Sequence, residues 1–269
     1  MIGGDVPVEI IRVDQNKLVQ EFLRLSEQEI YRAMTLFCVP YAGGSGSAYN
    51  EWKKYFNDYI TVIPVELKGR GKRFNENLYQ DMQEAVDDIL CVLKKTIERD
   101  EYAIFGHSMG ALLAYELYYA ITLESLRKPN HIFFSGHSAP CCGRDREKLH
   151  LLSDDEFVKR IIALGGMPEE VLCNGELLDI VLPYLKNDFR ISESYLYKER
   201  MAKIECNISV FTGKDEDTTV EEIQLWKKHG SKKVRIYDFN GNHFFINEHI
   251  QSIAQIITGE LIKNDTVNQ

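Results

Sequence analysis

Five residues, Gly106-His107-Ser108-Met109-Gly110, carry the strongest chemical signal in the chain. They read G-x-S-x-G and lie directly between an apolar run of strand length, YAIF, and a helical pattern, ALLAYELYYAI. A serine on so tight a strand-to-helix turn is exposed at the strand's end with a helix N-terminus beneath it. The flanking glycines let neighbouring backbones approach without a Cβ, and the positive end of the helix favours developing negative charge. A serine capping an ordinary turn is the bland alternative. The strand and helix on either side favour a nucleophile.

A nucleophilic serine needs a base and an acid. In strand–elbow–helix proteins of this kind the chain order is serine, acid, histidine. His243 lies in the Gly/Asn-rich turn of DFNGNHFFI, just after the apolar run VRIYDF, and is the candidate base. His107 sits inside the elbow, and His137 follows a strand pattern where it can line a pocket; neither position suits the base as well. The acid should follow ISVFTG, where Asp215, Glu216 and Asp217 stand together. A Gly-x-x-acid count from Gly213 lands on Glu216. A D-x-x-V count back from Val220 lands on Asp217. All three acids stay open at this point. An oxyanion needs two N–H donors. One is expected from Met109, the residue after the nucleophile. The other is expected from Ala42, or else Tyr41, in the glycine-rich turn Tyr41-Ala42-Gly43-Gly44-Ser45-Gly46. That turn has neither the lysine of a P-loop nor the G-x-G-x-x-G spacing of a dinucleotide site.

The elements that must position these residues alternate. Strand patterns are expected at VEIIRV, TLFCVP, YITVIPVEL, YAIFG, HIFFSG, ISVFTG and VRIYDF. Helical patterns fill the intervals: residues 17–34, AYNEWKKYF, residues 79–99, the stretch after Ser108, a segment ending near His229, and the chain after Asn247. Such alternation predicts an α/β fold, a mostly parallel sheet with helices on both faces. From about 145 to 200 the strands stop and helical patterns run alone, broken by GGMP, which predicts a helical lid insertion. Phe157, Ile161, Leu164, Met167, Val171, Leu182, Leu185 and Phe189 supply its apolar positions. The organisation expected is a lead-in over residues 1–34 and one domain over 35–269.

The chain has 269 residues, 44% of them hydrophobic, with a formal net charge of −9. That composition is globular, and the acidity argues against nucleic acid and anionic membrane surfaces as partners. No window approaches the ~18 uninterrupted apolar residues of a membrane span, and the N-terminal sequence has no secretory pattern. The six cysteines form no C-x-x-C pair and read as reduced core thiols, which points to the cytoplasm. No His/Cys/Glu cluster has zinc-site spacing, and serine chemistry calls for no metal or redox cofactor. Lys68, Arg70, Lys72 and Arg73 make a local basic patch on an acidic protein. It is either a docking surface for an acidic partner or a solvated loop with an arginine paired internally.

Six segments together resemble a known family: LFCVPYAGGS (36–45), VELKGRGKR (65–73), FGHSMGA (105–111), LGGMP (164–168), LPYLKNDF (182–189) and GNHFF (241–245). In order and spacing they look like the type II thioesterases, the stand-alone editing enzymes of non-ribosomal peptide and polyketide synthases. The resemblance covers about residues 35–255. It implies an α/β-hydrolase fold with a helical lid. It also implies a serine thioesterase that removes acyl groups from the phosphopantetheine arm of acyl or peptidyl carrier proteins. Apart from the carrier, a monomer is expected. Two departures stand out: Lys68 replaces a proline usual in the family, and the acid loop is ambiguous. A carboxylesterase or lipase acting on free esters, an acyltransferase using the same acyl-serine, and a non-catalytic binder on this fold are the competing readings.

Overall fold

The computed structural model describes residues 6–13, 33–143, 147–167 and 169–267. Among these residues seven strands form one sheet: β1 (Val8–Arg12), β2 (Met34–Val39), β3 (Ile60–Pro64), β4 (Glu101–His107), β5 (His131–Ser135), β6 (Asn207–Gly213) and β7 (Val234–Phe239). Their order is β1-β7-β6-β5-β4-β2-β3, and every pairing is parallel. Residues 8–12, within the expected lead-in, therefore belong to the sheet, paired with β7 from Val8↔Val234 to Arg12↔Asp238. The helix expected over 17–34 lies outside the described residues except at its end, where Met34 opens β2.

The central strands read as near-continuous apolar runs because both faces are covered. Alternate residues feed two cores. Phe37, Val39, Ile104, Phe134 and Val210 face one way, and Leu36, Cys38, Phe105, Phe133 and Phe211 the other. The first face is covered by α1 (Met82–Arg99), α2 (Met109–Leu123) and α6 (Val220–Gln224), and the second chiefly by α8 (Ile250–Val267). Asp81 starts α1 by accepting from Glu84 N–H at 2.9 Å, a side-chain N-cap. Helix α2 is apolar on nearly every side because it lies between the sheet, α1 and the insertion.

The helix expected over AYNEWKKYF is instead two 3₁₀ turns, Gly46–Tyr49 and Glu51–Lys54. Its buried anchors, Tyr49 and Trp52, are three residues apart, which suits the tighter turn. The helix expected to reach His229 is short: α6 gives way to a 3₁₀ turn over Leu225–Lys228. The last helical region begins before Asn247, with α7 (Phe245–Glu248).

Between β5 and β6 the main sheet gains no strand among the described residues, and the chain runs through α3 (Asp154–Ala163), α4 (Glu169–Leu172) and α5 (Gly175–Glu193). Phe157, Ile161 and Leu185 form a small core of this insertion, with Met167, Leu182 and Phe189 packed on it. Ala42, from the turn after β2, packs on the same core. Leu164, expected among these apolar positions, is exposed instead. The cysteines also diverge from expectation: none of the six is disulfide-bonded, but only Cys38 and Cys206 are buried, while Cys91 and Cys173 are exposed.

Candidate active site

A parallel sheet brings the carboxyl ends of its strands to one edge, and the candidate residues come from four of those ends. Ser108 follows β4, the glycine-rich turn follows β2, Glu216 lies just past β6, and His243 just past β7.

Ser108 adopts φ 55°, ψ −120°, outside the regions open to ordinary residues. Its neighbours hold it there. Its N–H donates to Ser135 C=O at 2.8 Å, and its own C=O accepts from Ala111 N–H at 2.9 Å. The two elbow glycines are required by contact rather than by flexibility. A Cβ on Gly106 would lie 2.0 Å from the Gly110 carbonyl oxygen, and one on Gly110 would lie 2.3 Å from that of Val39. Strand β4, helix α2 and strand β2 thus interlock at the turn. Among the described residues, neither Met109 N–H nor Ala42 N–H finds an acceptor.

His243 Nδ1 lies 2.8 Å from Glu216 Oε1, and the glutamate side chain is 3% exposed. Against a carboxylate, Nδ1 carries the proton and Nε2 keeps its lone pair. Glu216 Oε2 accepts from Thr212 Oγ1 at 3.2 Å and from Gly213 N–H at 3.4 Å. The carboxylate is therefore clamped from the β6 end while it holds the imidazole. Of the three acids open to the sequence, Glu216 is the one brought to His243. Asp215 and Asp217 are exposed.

His107 is fully buried, and its ring lies 4.9 Å from that of His243. Burial first, and then the neighbouring His243, push its pKa well down, so it stays neutral. Its Nδ1 pairs with Ser135 Oγ at 2.9 Å. Tyr41, Phe244 and Phe245 complete an aromatic wall around it. His137, expected to line a pocket, is half-buried with Nδ1 2.6 Å from Ser138 C=O.

The basic patch does not survive as a free surface. Arg70 is 1% exposed and forms a two-pronged pair with Asp188 of α5. Arg73 pairs with Glu76 and Asp88, and Lys68 with Glu84 and Asp88. Only Lys72 of the four stands exposed without an ion pair among the described residues. Asp188 stands in the segment LPYLKNDF but the motif gives it no role, yet a signal for one was present. It sits three residues from Leu185 and three from Ile191, both buried on α5, and a carboxylate on an apolar stripe requires a buried cation.

Sheet, elbow and His–Glu pair together define a serine hydrolase site on an α/β-hydrolase scaffold. The Thioesterase domain family matches residues 34–261, and the chain belongs to that family. Gramicidin S biosynthesis protein GrsT of Aneurinibacillus migulanus is 34% identical over 229 residues, covering 85% of this chain and 89% of that protein. The solved structure of ClbQ from the colibactin NRPS/PKS pathway superposes with a TM-score of 0.84 at 33% identity, over 87% of this chain and 99% of that one. The type II thioesterase BorB from the borrelidin biosynthetic cluster gives 0.78 at 33% identity, over 85% and 93%. No helix among the described residues is long and apolar enough to cross a membrane.

Proposed function

We propose that this chain hydrolyses acyl groups from the phosphopantetheine thiol of acyl or peptidyl carrier proteins, as an editing or releasing thioesterase of non-ribosomal peptide or polyketide assembly. The observation that carries the serine mechanism is the 2.8 Å His243–Glu216 pair, set at the same sheet edge as the strained Ser108 elbow. The names of its relatives support the biosynthetic setting.

Ser108 Oγ attacks the thioester carbonyl while His243 Nε2 takes its proton. Glu216 holds Nδ1–H and stabilises the imidazolium, and Met109 and Ala42 N–H groups receive the oxyanion. The C–S bond breaks, and the proton held by His243 goes to the departing thiolate. Water then enters, His243 takes its proton, and attack on the acyl-serine releases the acid and restores Ser108. These steps need no metal or redox group. The residues that act lie within the domain expected over 35–269, to whose sheet strand β1 (Val8–Arg12) also belongs, and we read the helical insertion over about residues 145–200 as the part that covers the site. A cytoplasmic monomer working on a carrier protein is the form we expect.

The test is to incubate the purified protein with acetyl-loaded carrier protein and, separately, with a nitrophenyl ester, and to follow both by intact-mass spectrometry. Loss of acetyl from the carrier, absent in Ser108→Ala, is the expected result. Rapid ester cleavage beside a carrier left untouched across several acyl groups overturns it in favour of a general esterase. Transfer of the acyl group to an added amine or alcohol in preference to water makes the chain an acyltransferase.

A further inference from the structure

The turn that carries Ala42 is held from the insertion. Gly44 N–H closes the turn onto Tyr41 C=O at 2.9 Å, with Gly43 at φ +78°, the left-handed third position of a type II turn. The intervening Gly43 N–H donates to Asp188 Oδ2 at 2.8 Å, across 145 positions of sequence. Arg70 grips the same carboxylate, Nη1 to Oδ2 at 2.5 Å and Nη2 to Oδ1 at 2.8 Å, and Nη1 also reaches Gly44 C=O at 3.1 Å. Tyr184, one turn before Asp188 on α5, lies under the guanidinium at 4.6 Å. Leu185 fills the remaining space, so that a Cβ on Gly43 would lie 2.4 Å from its Cδ1.

Both charged side chains are 1% exposed. A buried ion pair is poor evidence of stabilisation, because the desolvation of two charges offsets their attraction. This pair does something that two apolar side chains of equal volume cannot do. It accepts the N–H on one side of the turn and donates to the C=O on the other. The peptide between Tyr41 and Ala42, whose N–H has no acceptor among the described residues, is thereby fixed in direction.

We propose that Asp188, oriented by Arg70, is a positioning residue for the oxyanion site, fixing the Tyr41–Gly44 turn from helix α5. The proposal rests on the reading of Ser108 as nucleophile and Ala42 as donor. It divides the insertion into two parts. Helix α5 belongs to the catalytic frame and stays docked through turnover, so any opening for substrate is confined to α3 and α4.

The experiment compares wild type with Asp188→Asn and with the double variant Arg70→Met/Asp188→Leu. The double variant leaves no unpaired buried charge and so retains the fold even if the single variant, which leaves Arg70 without its counter-charge, loses it. Active sites are counted with a fluorophosphonate. Three quantities are then measured: kcat and KM on a thioester, inhibition by an alkyl boronic acid that adds to Ser108 as a tetrahedral anion, and binding of a non-hydrolysable thioether. The expected result is a kcat lowered ~10- to 100-fold with KM within about twofold. Boronate inhibition should weaken by the same factor, with thioether binding unchanged. A folded double variant with wild-type kcat overturns the proposal. So does one that loses thioether binding and kcat in parallel, or one that does not fold, since each assigns the pair to the fold alone. Failure of the underlying reading looks different: Ser108→Ala keeps its turnover, or the boronate does not inhibit the wild type.

Discussion

Replacing Glu216 by glutamine tests the site at its most decisive contact. The substitution keeps size and shape, so its effect is one of proton placement. Glu216 Oε2 receives two donors, Thr212 O–H and Gly213 N–H, so the glutamine carbonyl oxygen settles at that position. Its NH₂ then faces His243 Nδ1, the atom 2.8 Å from Oε1 in the native site. Two N–H groups cannot point at each other, so Nδ1 gives up its hydrogen and Nε2 takes it. The lone pair that should accept the Ser108 proton is lost, and no carboxylate remains to stabilise the imidazolium. A wrong tautomer in a triad lowers kcat by ~10⁴, which is about 5.5 kcal/mol of barrier. We expect a 10³- to 10⁴-fold fall in kcat with KM little changed, and a comparable fall in the rate of Ser108 labelling by a fluorophosphonate. Asp217→Asn and Asp215→Asn, at exposed positions, should each stay within a few-fold of wild type. Thioester kinetics on the three variants decide the matter. A Glu216→Gln enzyme within tenfold of wild type, or a loss of that size in Asp217→Asn, would refute the reasoning.

Ser108→Gly should abolish turnover yet raise stability by about 1–2 kcal/mol, because glycine tolerates the strained φ 55° of the elbow; urea unfolding measures the gain, and an unchanged midpoint would mean the turn is unstrained. Gly43→Ala combines a side chain at φ +78° with a Cβ 2.4 Å from Leu185 Cδ1, so we expect a stability loss of about 1–3 kcal/mol and a lower kcat, both read on the purified variant. His229 is held neutral chiefly by burial, which pushes its pKa to about 4 from an ordinary 6.5. The unfolded chain binds a proton below 6.5 that the folded chain refuses until about 4, so this contribution is complete above pH 6.5 and lost as pH falls towards 4. At 1.36 kcal/mol per pH unit the span is worth about 3 kcal/mol. His229→Gln should flatten the stability–pH slope across that window, and an unaltered slope would contradict the assignment.

Much of this architecture was legible in the residue pattern. The strand runs and the elbow are local signals, where a few consecutive side chains decide the conformation, and the order serine, acid, histidine follows from the sheet. The acid was not legible, because three adjacent carboxylates differ only in which way the loop after Gly213 turns, and that is set by Thr212 and Gly213 gripping one of them. The 3₁₀ turns around Tyr49 and Trp52 were read as a helix because burial at every third residue fits either period over so short a stretch. The basic loop was misleading for the opposite reason. Its partners, Asp188 and Asp88, lie on distant helices, so charge counted along the chain looked free when it was paired in space.

The sheet ends, on one side, in a pairing between its first strand and its last. Among the described residues Val8–Arg12 pairs with β7 alone, and its partners begin at Val234, more than two hundred positions away. Contacts that distant are slow to form, since a long loop must close before they are rewarded. During synthesis β1 must wait for this pairing until Val234–Phe239 has left the ribosome. A nascent chain that stops short of Phe239 lacks His243 as well as the partner of β1. On the proposed mechanism it is inert, and it carries an open sheet edge, the feature by which unfinished chains pair wrongly. The strand that completes the sheet and the proposed base thus leave the ribosome within a few residues of each other, at Phe239 and His243.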